Sequence, residues 1–355
     1  FFFKQKTAYE IPKRDWSSDV CSSDLSASLV WTEQSRLPVS VSFAKRQKDA
    51  TYINSPRTGW FDYVAHEVSQ NRLIAASIRV LSWMGRAFGI DRIIMVGNYP
   101  VSTSVWTLQQ VAEIPFAAEV MSERKPDFFV GVRNILPYRD SKLISALTAL
   151  GFVGLPARVI YEFDFRGEFM RNFSHLKKDI ALFKRLNIAF EVASRVDAVD
   201  AKRMQFLYET IYLRKHSRLN PQYSAQFFSD LINSGVATYL SIRDSNNKIL
   251  SFALLWSVGE TLTVPALGYD QATGDHGSYR VLFIAIYRYA SDHKVLLNYS
   301  SGAGEFKRRR GGVPRLEYTY IRCPNSASGL KRAFLKMVSQ RLATVTEQSL
   351  IKVGA

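Results

Sequence analysis

The chain has 355 residues, and its 47% hydrophobic and 13% aromatic content supplies enough apolar side chains for packed cores. Its formal net charge of +16 and its pI near 9.8 favour contact with polyanions without naming one. No apolar run approaches the roughly 18 residues of a membrane span. No RNP motif, helix-turn-helix signature or zinc finger indicates sequence-specific reading of nucleic acid, so DNA is not an expected partner.

The first residues require separate treatment, because KQKTAYE (Lys4–Glu10) and DWSSDVCSSDL (Asp15–Leu25) resemble translated sequencing adapter. We interpret residues 1–25 as a disordered artefact and expect its removal to leave folding unchanged. With Cys21 assigned to this segment, Cys323 stands alone, so no internal disulfide is expected and a cytoplasmic location is favoured. The scattered histidines form no HExxH pattern, so no metal site is expected.

Residues 26–165 predict one α/β domain, in which strands and helices alternate. Its predicted elements are a β-rich segment at Leu37–Ile53, a helix at Val68–Phe88, strands at Arg92–Val96 and Phe128–Val132, a helix at Lys142–Leu150 and a strand at Ala157–Phe165.

Residues 166–328 predict a second α/β domain, with the same order of elements but no obvious sequence repeat. Its predicted elements are a pair of helices at His175–Leu186 and Ala198–His216, a segment at Phe227–Gly235, a meander of Thr238–Arg243, Ile249–Val258 and Thr261–Leu267, and a closing strand at Val313–Arg322. Residues 329–355 form a tail whose segment Leu330–Val345 reads as a basic amphipathic helix. Such a helix either lies on a membrane or packs on the domain, and packing is favoured.

The most informative segment lies near the end of the second domain. Apolar runs at Thr263–Gly268 and Val295–Ser300 flank a helix, Tyr279–Ala290, that is apolar nearly all round. This order predicts two parallel strands joined by a buried crossover helix with Ser278 as its N-cap. Pro265 removes one N–H from the first strand, which a bulge would tolerate. The helix N-terminus would then face a phosphate-bearing donor such as a coenzyme A thioester.

The meander, the crossover helix and the splayed following strand resemble the GNAT acyltransferase fold. Residues 175–321 more specifically resemble the tandem-GNAT group that includes Fem-type peptidoglycan aminoacyltransferases and the acetyltransferase family of cellulose biosynthesis. The resemblance rests on LRKHSRLNPQY (Leu213–Tyr223), LGYD (Leu267–Asp270) and FKRRRGG (Phe306–Gly312). It implies a mixed α/β (α+β) fold with two GNAT-like domains in tandem.

The resemblance also implies an activity, the transfer of an acyl group to an amine or hydroxyl. The expected donor is acetyl-CoA or another acyl-CoA. The expected acceptor is a small molecule, a polysaccharide or a cell-wall precursor, in bacterial envelope or polysaccharide biosynthesis. Two alternatives stay open. One is a Fem-type ligase that uses aminoacyl-tRNA, and the other is a non-catalytic module that binds polysaccharide or anionic lipid, for which peripheral membrane contact is compatible.

The resemblance assigns candidate site residues by position. The catalytic candidates are Tyr269, Asp270, Glu305 and Lys307; the donor-binding candidates are Leu267, Gly274, Gly277, Ser278, Tyr279 and Arg280; the acceptor-binding candidates are Arg310, Gly311 and Gly312. The donor loop departs from the usual glycine pattern, since His276 occupies the place of the second glycine.

Each candidate also has a purely structural interpretation. Lys307 either neutralises an anionic group or is a solvated charge, and both predict little loss of stability in Lys307→Ala. The pair Gly311 and Gly312 either binds a developing oxyanion or forms a tight turn. Tyr269 either protonates a leaving thiolate or packs. For Lys215 and Asn220 a structural role is favoured.

Overall fold

The computed structural model describes residues 25–31, 36–43, 51–62, 72–167, 172–270 and 277–352. The mixed α/β fold class is confirmed, because helices pack on both sides of a mixed sheet. The predicted disorder of residues 1–24 falls outside the described residues. Leu25 does not fit that prediction, since it pairs with Ser42 as the first residue of a strand.

The strands are short and follow the predicted positions closely in the second half of the chain. They are β1 (Leu25–Trp31), β2 (Arg36–Phe43), β3 (Arg92–Val96), β4 (Phe129–Ile135), β5 (Val153–Asp164), β6 (Glu191–Ala193), β7 (Thr238–Arg243), β8 (Ile249–Val258), β9 (Thr261–Thr263), β10 (Leu267–Tyr269), β11 (Leu296–Asn298) and β12 (Val313–Arg322).

The helices connect these strands across both faces of the sheet. They are α1 (Arg72–Ala87), α2 (Leu108–Arg124), α3 (Ser141–Ala149), α4 (Ser174–Arg185), α5 (Ala198–Tyr208), α6 (Ala225–Asn233), α7 (Gly277–Asp292), α8 (Gly304–Arg308) and α9 (Gly329–Lys352). Two π-helical segments accompany them, Thr58–Asp62 before α1 and Glu209–His216 directly after α5. Among the residues described, none of the helices combines the length and the apolar character needed to span a bilayer.

One continuous sheet runs through both halves of the chain, in the order β1-β2-β3-β4-β12-β5-β11-β9-β8-β7-β6. The closing strand β12 is the main departure from expectation. It was expected to complete the second half, but it lies between β4 and β5 of the first half and is antiparallel to both. The two halves are therefore joined through the sheet as well as through the chain.

The predicted crossover is confirmed, with a refinement at the first strand. Strands β9 and β11 are parallel, and α7 connects them. The first strand is interrupted at residues 264–266, which face only two residues of β8, so the expected bulge lies at Pro265. Ser278 is not an N-cap, because α7 begins one residue earlier at Gly277 and Ser278 lies in its first turn.

Two helices of the structure were not predicted. In α2, Pro115 interrupts the sequence pattern, but Thr107 and Gln110 form a capping box that starts the helix. Helix α8 occupies part of the loop expected at residues 302–312, and it is too short for a periodic pattern to be visible. The tail packs on the domain as favoured, since Phe334, Leu335 and Val338 of α9 lie in a core cluster with residues of β3 and β5.

A buried ion network joins α4 to the segment that follows α8. Asp179 accepts from Arg280 Nε and Arg310 Nε, each at 2.5 Å, and the Asp179 side chain is 1% exposed. The Arg310 guanidinium also lies 3.4 Å from the centroid of the Phe306 ring and donates to the Phe306 carbonyl. The buried Arg310 is therefore held by a carboxylate, a carbonyl and an aromatic ring of the protein itself.

We expect Asp179→Ala to lower the free energy of unfolding by about 3–5 kcal/mol, because it leaves the Arg310 charge buried without its carboxylate. Urea denaturation measures this difference. Asp164→Ala is the matched control, since Asp164 pairs with Arg166 at the surface and should cost no more than about 1 kcal/mol. Similar losses for the two variants would contradict the structural role of the network.

Candidate active site

A cavity of about 770 Å³ lies between the two halves of the chain, within the range of small-molecule sites. Its walls come from the segment before α1, the π-helical segment after α5, the parted strands of the crossover and the centre of the sheet. The candidate residues that line it are Leu267, Tyr269, Tyr279 and Lys307. These four come from β10, α7 and α8, so the fold brings together residues that are up to 40 positions apart.

The cavity exists because two neighbouring strands separate. Strand β11 pairs with β9, whereas β10 pairs with β8 and with no other strand of the described residues. Beyond Thr263 and Asn298 the two arms therefore diverge. Val264, Pro265 and Leu267 line the cavity on one arm, and residues 299–303 line it on the other. Ser102 from the first half donates to the Pro265 carbonyl at 3.2 Å and so supports the first arm.

Gly268 allows the first arm to take this path. A Cβ at Gly268 would lie 2.8 Å from the Leu207 backbone and the Phe252 ring, so only glycine fits between β10, α5 and β8. This close approach fixes the position of Tyr269, the next residue and a wall of the cavity.

The Lys307 ammonium is hydrogen-bonded to the second arm, residues 299–303. Its side chain is buried, and Nζ donates to the carbonyls of Tyr299 at 2.6 Å, Ser300 at 3.2 Å and Ser301 at 2.7 Å. Burial, with a smaller contribution from Arg158, lowers the pKa of Lys307 well below its ordinary value. The three carbonyls oppose this shift, because they accept from all three N–H groups of the ammonium form.

An arginine–glutamate network forms the floor of the cavity. Glu317 of β12 accepts from Arg158 Nε at 2.8 Å and from Asn134 at 2.9 Å. Arg158 also donates to the Ser102 carbonyl at 2.8 Å, and so it ties β5 to the loop that supports the first arm. Arg133 lies beside it, and burial, then Arg158, lowers the pKa of Arg133 to about 10.

Tyrosine hydroxyls are further polar groups near the parted strands. Burial raises the pKa of Tyr279 to about 12, and it raises the pKa of Tyr299 further above the ordinary value. The Tyr269 and Tyr279 rings lie 5.6 Å apart, and Tyr279 contacts Phe306 at 4.8 Å. Tyr279 and Tyr299 are thus neutral O–H groups at physiological pH, suited to donate a proton or a hydrogen bond rather than to act as a base.

The other catalytic and donor candidates lie outside the cavity lining. Asp270 pairs with Arg203 at 2.6 Å. Glu305 is exposed and pairs with Arg309. Arg280 pairs with the buried Asp179. Gly277 and Ser278 begin α7 beside the cavity without lining it, and Gly274 falls outside the described residues.

The acceptor candidates have structural roles in this geometry. Arg310 is held by Asp179 as described above. The N–H groups of Gly311 and Gly312 donate to the carbonyls of Arg308 at 3.0 Å and Lys307 at 2.9 Å, and Gly311 has a φ of +93°. These bonds and this φ form the left-handed C-terminal end of α8. Gly311 and Gly312 therefore form a tight turn in this structure.

Several residues of the cavity were not singled out by the sequence. Arg133 and Arg158 lie within largely apolar strands, and a charged residue in such a strand needs polar partners, which is the signal that could have marked them. Lys215 and Asn220, expected to be structural, also line the cavity. Asn220 does have a structural role, since it donates to the carbonyls of Tyr212 and Ser217.

No protein-family model matches the chain, and no curated protein matches it by sequence. Solved structures of similar fold include the C-terminal domain of a putative lysylphosphatidylglycerol synthetase from Agrobacterium fabrum, with 13% identity and a TM-score of 0.49 over 71% of this chain and 82% of that one. FemX gives 12% identity and a TM-score of 0.44 over 61% and 77%. A tandem GNAT protein from the clavulanic acid biosynthesis pathway gives 12% identity and a TM-score of 0.39 over 66% and 76%. These similarities identify no activity for this chain.

The burial of Lys307 changes the expectation for its removal, since it is not a solvated charge. We expect Lys307→Ala to lower the free energy of unfolding by at least about 2 kcal/mol, because the carbonyls of Tyr299 and Ser301 lose the ammonium and that of Ser300 keeps only the N–H of Tyr161. Chemical denaturation measures the loss. Arg309→Ala is the control two residues away, on an exposed side chain, and should change stability by no more than about 0.5 kcal/mol. Equally small effects would show that the ammonium does not hold the second arm.

Proposed function

We propose that this protein is an acyltransferase that moves an acyl group from an acyl-CoA to an amine or hydroxyl acceptor in the cavity between the parted strands. The observation that carries the proposal is the divergence of β10 from β11 around a cavity lined by Tyr269, Tyr279 and Tyr299. The edge of β10 that faces β11 pairs with no strand of the described residues, so we propose that an extended donor arm lies along it, with neutral hydroxyls near the reacting carbonyl.

The proposed transfer is direct, without an acyl-enzyme. The lone pair of the acceptor forms the new C–N or C–O bond at the thioester carbonyl, the C–S bond breaks, and coenzyme A leaves as a thiolate. The thiolate takes a proton from a tyrosine hydroxyl, and the surplus proton of the acceptor restores that hydroxyl. Tyr279 and Tyr269 line the cavity near both arms, and we propose them as the proton donors.

Glu317 is not proposed as the general base, although it is a carboxylate of the cavity lining. It is 2% exposed, and its oxygens accept from Arg158 and Asn134. Taking a proton from the acceptor would remove the negative charge that pairs with Arg158 and so weaken this network. Its proposed role is to neutralise Arg158 and keep the floor of the cavity in place.

A second donor class, aminoacyl-tRNA, is favoured by one observation. Lys215 and His216 are exposed where they line the cavity, and the neighbouring Arg214 and Arg218 are also exposed. Such a basic rim suits a large polyanion as well as a nucleotide. Thermal shift with acetyl-CoA, coenzyme A and charged tRNA separates the two, because a ligand at 100 times its Kd adds about 2.7 kcal/mol of stability.

We expect Tyr279→Phe to lower the rate of coenzyme A release in the presence of acceptor by at least about 10-fold, because the variant loses the hydroxyl that protonates the thiolate. Tyr289→Phe on the same helix is the control, since Tyr289 stacks on His293 outside the cavity lining. An equal rate in the two variants would remove Tyr279 from the reaction.

The raised pKa of Tyr279 adds a pH test. Its hydroxyl loses its proton only as the pH rises through about 12, so it remains a donor at pH 10. The ratio of wild-type to Tyr279→Phe rates should therefore stay constant from pH 7 to pH 10. A tyrosine of ordinary pKa would lose about half of its donor form at pH 10, so a twofold fall in that ratio would contradict the assignment.

Donor binding is tested at the start of α7. Among the described residues, no atom lies within 4 Å of a Cβ built at Gly277, so Gly277→Leu should fold normally while it obstructs a diphosphate at the helix N-terminus. We expect at least about 10-fold weaker binding of coenzyme A by calorimetry. Gly329→Leu is the matched control, because Gly329 also begins a helix in open space. Unchanged affinity in Gly277→Leu would exclude this donor site.

A further inference from the structure

Helices α1 and α9 cover one end of the same face of the sheet. Both contribute to a single core cluster with Ile93 and Met95 of β3, and the rings of Phe88 and Phe334 lie 4.7 Å apart where the two helices meet. Their outer sides therefore belong to one surface of the molecule, which we call the α1–α9 face.

The described side chains of α1 and of the first half of α9 add only basic charge to this face. Residues 76–87 and 329–342 contain no Asp or Glu, and their basic residues are Arg79, Arg86, Lys331, Arg332, Lys336 and Arg341. Of the carboxylates near this face, Asp62 and Asp91 share the single cation Arg57, so that group keeps one net negative charge. Near the start of α9, Asp127 lies 3.9 Å from Arg92. The basic side chains of the face outnumber this residual negative charge, so the face attracts anions.

Large apolar side chains are exposed among these charges. Trp83 is 70% exposed and Val80 is 58% exposed on α1, while Leu330 and Met337 are exposed on α9 at 70% and 41%. Arg79 and Arg86 flank Trp83 on the outer side of α1. Tryptophan beside arginine on a helix lying parallel to a surface is the pattern of proteins that bind the interface of anionic membranes.

We propose that the α1–α9 face binds the surface of an anionic lipid bilayer, with Trp83 inserted at the level of the headgroups. An RNA would also be attracted by the charges, but it gives no reason for four exposed apolar side chains distributed over both helices. The proposal concerns a surface outside the catalytic cavity and does not rest on the acyltransferase activity.

The cavity lies on the same side of the sheet as the α1–α9 face. Met95, Glu317 and Thr319 line the cavity, and Met95 also lies in the core cluster beneath the two helices. The helices and the cavity therefore occupy the same side of the sheet. The Ser82 hydroxyl of α1 donates to Asp62 at the end of the π-helical segment that forms part of the cavity wall. A bilayer on the α1–α9 face would lie close to the cavity.

The opposite side of the sheet supplies a matched control. Helix α2 exposes Leu108 at 91% and Phe116 at 46%, but its exposed neighbours include Glu119 and Glu123. Leu108→Ala removes an exposed apolar side chain without touching the basic face.

Co-sedimentation of the full chain with vesicles tests the proposal, using 30% phosphatidylglycerol in phosphatidylcholine against phosphatidylcholine alone. We expect binding to the anionic vesicles that weakens about 10-fold in Trp83→Ala and about fivefold for each of Arg79→Gln and Arg86→Gln. Leu108→Ala should bind as the wild type does. Circular dichroism checks that these surface variants fold.

Brominated lipid gives an independent readout, because bromine quenches a tryptophan that enters the bilayer interface. Wild type should show quenching that Trp83→Phe removes. The proposal is overturned if anionic vesicles are not bound, if Trp83→Ala and Leu108→Ala bind alike, or if quenching persists in Trp83→Phe. Binding of tRNA that depends on Trp83 while vesicles fail to compete would also overturn it, in favour of an RNA surface.

Discussion

The cavity depends on the interruption of a single strand at Pro265. A proline has no N–H to give to a ladder, and here the chain makes a bulge that separates β9 from β10. The part before the bulge stays paired with β11, and the part after it follows β8 alone. Because the two arms cannot close, the sheet contains a gap in which a ligand can reach both backbone and side chains.

The two diverging arms do not pair with each other, so side chains must hold them in position. The buried Lys307 and the partly buried Arg158 hold the arms in place. Lys307 binds three consecutive carbonyls of the second arm, and Arg158 binds the Ser102 loop, whose serine side chain contacts the first arm. Both cations are costly to bury, and each is stabilised by a full set of acceptors. The charges that give this site its basic character therefore act mainly as structural supports, and the reacting atoms would meet neutral tyrosines.

Local patterns predicted the local structure well. Alternating and apolar runs gave β7, β8 and β12 at their observed ends, because strand periodicity and turn residues are encoded within a few positions. The crossover and the bulge followed from the same kind of signal. The place of β12 between β4 and β5 could not be predicted, since its partners lie some 150–190 residues away in sequence and no local pattern encodes such pairing.

The site was predicted only in part, for a related reason. Tyr269, Tyr279 and Lys307 lie in the segment whose order of elements was informative, and they reach the cavity. Arg310 carries the same charge as Lys307 three positions earlier, yet one turn of helix directs it to Asp179 instead. Residue type and spacing alone do not distinguish these two environments. Both side chains are buried, and their partners differ: Lys307 meets carbonyls of residues 299–301, whereas Arg310 meets Asp179 of α4. Which partner each one meets depends on tertiary packing.

We propose that the acyl donor occupies the gap between β10 and β11. The most direct measurement is a crystal structure with a non-reactive thioether analogue of acetyl-CoA. The predicted result places the extended arm of the analogue along β10, with its sulfur within about 4 Å of the Tyr279 hydroxyl, a contact distance. An analogue bound elsewhere on the molecule, with the space between β10 and β11 vacant, would contradict the account.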